Sequence, residues 1–166
     1  QPVATQTIHP RCWQSIVLCK QQTCILVFGG FYFDGYKEHY YNDVHLLDLN
    51  SGSWTQVLNC SPSSPSVRNR HGIVRIQQAE EEEGVVVGGV ERFLVFGGNC
   101  LRGGEDVFFN DAWILTLEIK NVKLKWTQTK NMPVKRGHFT VTERENKVIL
   151  FGGECERKRF NDFLEL

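Results

Sequence analysis

The sequence predicts an all-β chain, and three observations carry that prediction. An apolar run ends on paired glycines three times: ILVFGG at 25–30, FLVFGG at 93–98 and VILFGG at 148–153. The apolar segments are short, rich in β-branched and aromatic residues, and bounded by turn formers, which is the composition of strands. No stretch carries the 3.6-residue periodicity of an amphipathic helix.

Bulk properties narrow the class. At 166 residues the chain has the size of one ordinary domain. Lys plus Arg and Asp plus Glu number 19 each, so the formal net charge is zero. That balance argues against a nucleic-acid or anionic-membrane surface, which needs a basic excess. No apolar run approaches the roughly 18 residues of a membrane span. The six cysteines (Cys12, Cys19, Cys24, Cys60, Cys100, Cys155) show neither a C-x-x-C nor a zinc-ribbon spacing. Cys19 and Cys24 bracket a turn and could face each other, as a disulfide or, with His9, around a metal. Free thiols in a reducing compartment are the better reading. The sequon Asn59-Cys60-Ser61 matters only in a secreted protein.

Aligned on the glycine pairs, the chain reads as one unit written three times. A first strand comes as SIVLC at 15–19, GIVRI at 72–76 and HFTVT at 138–142, each preceded by an arginine: Arg11, Arg70 and Arg136. The second strand ends on Gly29-Gly30, Gly97-Gly98 and Gly152-Gly153. After a long loop, an aromatic (Tyr41, Phe109, Phe160) and an Asn-Asp pair open a third, alternating strand: DVHLLDL, DAWILTL and DFLEL. A fourth strand carries WTQ at Trp54 and Trp126, and the third copy stops at Leu166 before its tryptophan would come. Gly29 to Gly97 spans 68 positions and Gly97 to Gly152 spans 55. The excess is an insert at 77–92 whose glutamates, Glu80 to Glu83, repel one another and read as a solvated loop.

On those glycine pairs, aromatics and tryptophans the chain resembles the kelch repeat over nearly its whole length. The resemblance implies β-propeller blades of four antiparallel strands, three of them covered here, with the ring incomplete in this chain. The implied boundaries are a partial outer strand or linker at 1–10, a first repeat at 11–58, a second at 59–130 including the insert, and a third at 131–166 lacking its fourth strand. Three blades do not comfortably close a ring. Either the chain is a piece of a longer propeller, or PVATQTI at 2–8 supplies the missing outer strand to the third blade, and a second copy completes the circle. Trp54 and Trp126 are then wedges between blades, and Trp54→Ala is expected to cost about 3–5 kcal/mol.

Alternating strands place the glycine loops and the connectors between repeats at one end. The first loop, FYFDGYKEHYY at 31–41, has the aromatic content of a binding hot spot, with Tyr32 and Tyr36 the residues expected to be exposed. Arg68, Asn99, Arg102, Arg157 and Arg159 join them as candidate partner-binding residues. Kelch propellers often receive acidic peptides or chain ends on such a face, and guanidinium forks suit carboxylates. Glu154, Glu156 and Lys158 read as solvated charges, and the recurring Arg70-His71 and Arg136-Gly137-His138 as scaffold. There is no phosphate loop, G-x-S-x-G or H-E-x-x-H, and His9, His39, His45, His71 and His138 are scattered. The expectation is a non-catalytic protein-interaction module of the cytoplasm or nucleus, with no cofactor or metal. It could serve as substrate receptor of a ubiquitin ligase, as a scaffold, or as a structural subunit of a cytoskeletal or ciliary assembly.

Overall fold

The computed structural model describes residues 8–19, 23–76, 89–145 and 147–166. Among them every regular element is a strand. The first sheet is a four-strand antiparallel meander of β1 (Ser15–Leu18), β2 (Cys24–Phe33), β3 (Glu38–Asp48) and β4 (Trp54–Gln56), in that order. Its ladder aligns Ser15 with Phe28, Leu26 with Leu46 and Leu47 with Trp54. The β2–β3 register slips between Phe28 and Gly30. The slip falls where Gly29 and Gly30 both take positive φ, 64° and 106°.

The second sheet comprises β5 (Leu58–Asn59), β6 (Gly72–Ile76), β7 (Val90–Phe96), β10 (Ala112–Glu118) and β11 (Lys123–Thr129), with a separate hairpin of β8 (Asn99–Arg102) and β9 (Glu105–Phe108) between β7 and β10. Its order is β5-β11-β10-β7-β6. All pairs are antiparallel except β5, which runs parallel to β11 on the outer edge. The insert expected at 77–92 is shorter than its spacing implied, because β7 begins at Val90. Positions 77–88 lie outside the described residues, as do 1–7, which hold nearly all of the strand proposed from PVATQTI. The third sheet is β12 (Thr140–Arg144), β13 (Lys147–Phe151) and β16 (Phe163–Glu165), with a two-strand hairpin of β14 (Glu154–Cys155) and β15 (Lys158–Arg159).

The sheets stack face on face, with β6 alongside both β1 and β12. Alternation decides which side chains meet. One buried cluster joins Leu26, Phe28, Val44 and Leu46 of sheet 1 to Ile73, Phe93, Val95, Leu115 and Trp126 of sheet 2. A second joins Val74, Phe96 and Ala112 of sheet 2 to Val148 and Leu150 of sheet 3, with Phe139, Val141 and Leu164 against it. Trp126 is 3% exposed, its ring 5.1 Å from Phe28 across the seam. Trp54 occupies the same register position in sheet 1, yet it is only half-buried, on the face that no second sheet covers. The wedge expected of both tryptophans is therefore Trp126 alone, because sheet 1 has no described sheet on its Trp54 side.

All six cysteines are free. Cys19 and Cys24 are buried together, and burial, then Cys24 itself, pushes the Cys19 thiol up. Such a thiol is a packing residue rather than a nucleophile.

Candidate functional site

At the end of each sheet where the glycine pair lies, the same polar knot forms. In the first, the Arg11 guanidinium donates to both carboxylate oxygens of Asp43 (2.6 and 3.1 Å) and to the Gly29 carbonyl (2.9 Å), and its carbon sits 4.1 Å from the Tyr41 ring centroid. In the second, Arg68 donates to Asp111 (2.8 and 2.7 Å) and Gly97 (2.9 Å) over the Phe109 ring at 4.6 Å. In the third, Arg136 donates to Asp162 (2.8 and 3.2 Å) and Gly152 (3.0 Å) over Phe160 at 4.0 Å. This explains the sequence pattern. The aromatic before Asn-Asp supplies a flat apolar floor, the Asp a planar fork for the guanidinium, and the glycine a carbonyl turned inward.

The knots depress their carboxylates. Burial works against ionisation at Asp43 and Asp111, but hydrogen bonds from His45 and Arg11, and from Arg68 and Trp113, hold both below the usual range. At Asp162 the Arg136 hydrogen bond does the same.

The knots also weld neighbouring sheets. Gly30 N–H donates to the Arg68 carbonyl and Gly98 N–H to that of Arg136, both at 2.9 Å. In return Arg68 N–H reaches the Tyr41 carbonyl and Arg136 N–H that of Phe109. The approach is close enough to demand glycine. A Cβ on Gly29 would lie 2.7 Å from the Arg68 oxygen, and one on Gly97 2.7 Å from that of Arg136.

Two residues past each knot arginine stand Trp13, Arg70 and His138, all with positive φ (56°, 54° and 59°). Left-handed backbone is uncommon for such side chains. It recurs here because the turn is held from both sides: Arg70 N–H donates to the Trp13 carbonyl and His138 N–H to that of Arg70. The three side chains line the end of the stack. The Arg70 guanidinium lies 3.7 Å from the Trp13 ring centroid, and Trp13 stacks on Phe31 at 5.3 Å. His138 Nε2 is 3.4 Å from Glu154, and desolvation followed by the Arg70 charge lowers its pKa. His71, buried on Phe28, is pushed down to about 3 by desolvation and the nearby Arg68 charge.

The candidate partner-binding residues divide sharply. Tyr36 is 98% exposed at the tip of the β2–β3 hairpin, and Tyr32 is on its flank. At that tip Asp34 accepts from His39 and from the Tyr36 and Lys37 amides, which lowers its pKa to about 2. Arg102, Arg157 and Arg159 are exposed on the two smaller hairpins, Arg159 3.9 Å from Glu154. Arg68 and Asn99 are not at the surface, being 0% and 1% exposed. Arg68 is the knot arginine of the second unit, and Asn99 bridges Asn69 through its backbone and donates from Nδ2 to Asp106 at 2.8 Å, its Oδ1 buried without a partner among the described residues. The arginine aligned with Arg11 and Arg136 is thus Arg68, while half-buried Arg70 joins the units through its backbone, as scaffold, and lays its guanidinium on Trp13. The repeat pattern did not single out Trp13.

Among the described residues no group of three His, Cys, Asp or Glu side chains is placed to hold a metal. Among the described residues no helix is long and apolar enough to cross a membrane.

No protein-family profile matches the sequence. Individual relatives are more informative. The chain is 29% identical over 145 residues to acyl-CoA-binding domain-containing protein 5 of Arabidopsis thaliana, covering 85% of this chain and 18% of that protein. It is 23% identical over 124 residues to kelch domain-containing protein 1 of Mus musculus, covering 73% and 26%. It is 26% identical over 150 residues to the flagellar outer-arm dynein alpha chain of Chlamydomonas reinhardtii, covering 87% and 3%. The chain therefore spans about a quarter or less of each of these relatives. The mouse protein hints at kelch-like repeats.

Proposed function

We propose that the chain is an arc of kelch-type propeller blades and acts as a non-catalytic protein-interaction module, presenting the end of the stack at which the glycine pairs lie. The observation that carries this reading is the cluster at that end. Arg70 lies on Trp13, and Tyr36, Arg102, Arg157 and Arg159 are exposed on the hairpins that follow the glycine pairs. Guanidinium forks beside aromatic rings suit an acidic segment or a chain end. The likeness to a kelch domain-containing protein supports the blade reading, as does the threefold arginine knot. The acyl-CoA binding in the plant relative's name is not carried over, since the chain spans 18% of that protein. Membership of a larger assembly is the second reading, favoured by the similarity to a dynein chain and by the uncovered faces of sheets 1 and 3.

The test is titration of a fluorescent glutamate-rich peptide against the chain and its Arg102→Glu/Arg157→Glu variant. The module reading expects at least a roughly tenfold loss of affinity, on the scale of one or two lost charge-assisted contacts, with Tm nearly unchanged. Equal binding by the variant would remove this face from the account.

A further inference from the structure

Among the described residues, sheets 1 and 3 each keep one face that no other sheet covers, and these two faces are complementary halves of the seams already inside the chain. On sheet 1, Ile16, Ile25, Leu47 and Trp54 share the open side. Their register equivalents on sheet 2 are Ile73, Phe93, Leu115 and Trp126, all in the buried cluster between sheets 1 and 2. Ile16 is 60% exposed where Ile73 is 7%. On sheet 3 the open side carries Phe151 and Phe163, in contact at 4.7 Å. Phe28 and Phe96, the equivalents of Phe151, are fully enclosed, one by His71 and Trp126 and the other by Phe139 of the next unit.

The backbone repeats the pattern. Each internal seam makes three hydrogen bonds: glycine N–H to arginine carbonyl, arginine N–H to the carbonyl of the knot aromatic, and the N–H of the left-handed residue to the carbonyl of its predecessor. At the open sides every corresponding group lacks a hydrogen-bond partner among the described residues. Sheet 3 offers the Gly153 N–H and the Phe160 and His138 carbonyls. Sheet 1 offers the Arg11 carbonyl and the Arg11 and Trp13 N–H groups. Each donor on one side has its acceptor on the other. Unmet backbone groups beside exposed apolar surface are the mark of a surface built to be covered.

We propose that a second copy of this chain seats head to tail on these faces, sheet 3 of one copy against sheet 1 of the other. Both halves of the missing seam lie in one chain, so a second copy presents to each open face the groups that face lacks. Contacts of this kind close a ring or run on as a filament. Two copies of three sheets make six, inside the roughly 4–8 blades typical of propellers, so a closed pair is expected.

Sedimentation velocity of the 166-residue chain tests this. The expected mass is twice 19.1 kDa. Ile16→Lys and Phe151→Glu, each on a different open face, are each expected to halve it while leaving the circular dichroism unchanged. Mixing the two variants restores the doubled mass, because one seam stays native and the other gains a Lys–Glu pair. A parent chain that stays at 19.1 kDa at every concentration overturns the proposal. Variants that pair as well as the parent overturn it too, since pairing then uses another surface.

Discussion

Trp126 and Trp54 begin the same WTQ triplet, on the last strand of sheet 2 and of sheet 1, opposite Leu115 and Leu47. One is 3% exposed against Phe28; the other is half-buried on an open face. The one local difference is the short β5 edge and the Ser61 hydroxyl beside Trp126, which do not cover its ring. The difference is the presence of a neighbouring sheet, so burial here is a property of the stack, whereas strand and register are properties of the unit.

The largest effect expected from that difference is on folding stability. With the chain dilute enough to stay single, Trp126→Ala should cost about 3–5 kcal/mol in urea unfolding, the range for large core truncations. Trp54→Ala should cost below about 2 kcal/mol, since it gives up only part of its apolar area. Equal losses would mean that the two tryptophans share one environment and that the seam is misplaced.

A smaller contrast separates the arginine knots. In the second, Asp111 also accepts from the Trp113 indole at 2.7 Å, and its side chain is 22% exposed. In the third, Leu164 stands where Trp113 does, and the Asp162 side chain is 46% exposed. Asp111→Ala leaves the buried Arg68 unpaired and should cost about 3 kcal/mol. Asp162→Ala should cost less, because water reaches the vacated side of Arg136. A loss at Asp162 matching that at Asp111 would break the comparison.

The smallest effect is on pH dependence. A histidine takes up its proton near 6.5 in the unfolded chain, but His71 only at about 3 in the folded one. Between those values the unfolded state binds more protons, so stability falls as pH drops below about 6.5. The knot carboxylates, depressed on folding, keep their contribution above the unfolded carboxylate value of about 3.9 and lose it only below. Phe139 fills the His71 position at the other seam, stacked 5.3 Å from Phe96, so phenylalanine fits there. His71→Phe should therefore flatten the fall in Tm between roughly pH 7 and pH 5, leaving the acid fall below pH 4 intact. An unchanged slope would assign the titration elsewhere.

Much of this was legible in the sequence. The strands, the meander order within a unit and the three glycine pairs follow from alternation and turn chemistry. The aromatic-Asn-Asp triplet announced its importance through repetition, though not its role as floor and fork for an arginine. What sequence could not supply was choice between neighbours. Arg68 and Arg70 are two positions apart, and which one enters the knot depends on a left-handed turn at a non-glycine residue, which composition does not reveal. The parallel β5 strand and the two short hairpins escaped for a related reason: they are two to four residues long and defined by what they lean on. Of the candidate site, Tyr32, Tyr36, Arg102, Arg157 and Arg159 are exposed, whereas Arg68 and Asn99 turn inward; Arg70 was legible only as scaffold, and Trp13 carried no signal.

The central claim is that neighbouring sheets are joined through the knots, and amide hydrogen exchange at Gly30, Gly98, Arg68 and Arg136 tests it most directly. Their N–H groups are satisfied across the seams rather than within a strand ladder. The account predicts protection comparable to the central ladder amides of β7 and β10. Exchange at the rate of the exposed Gly103–Gly104 turn would contradict it.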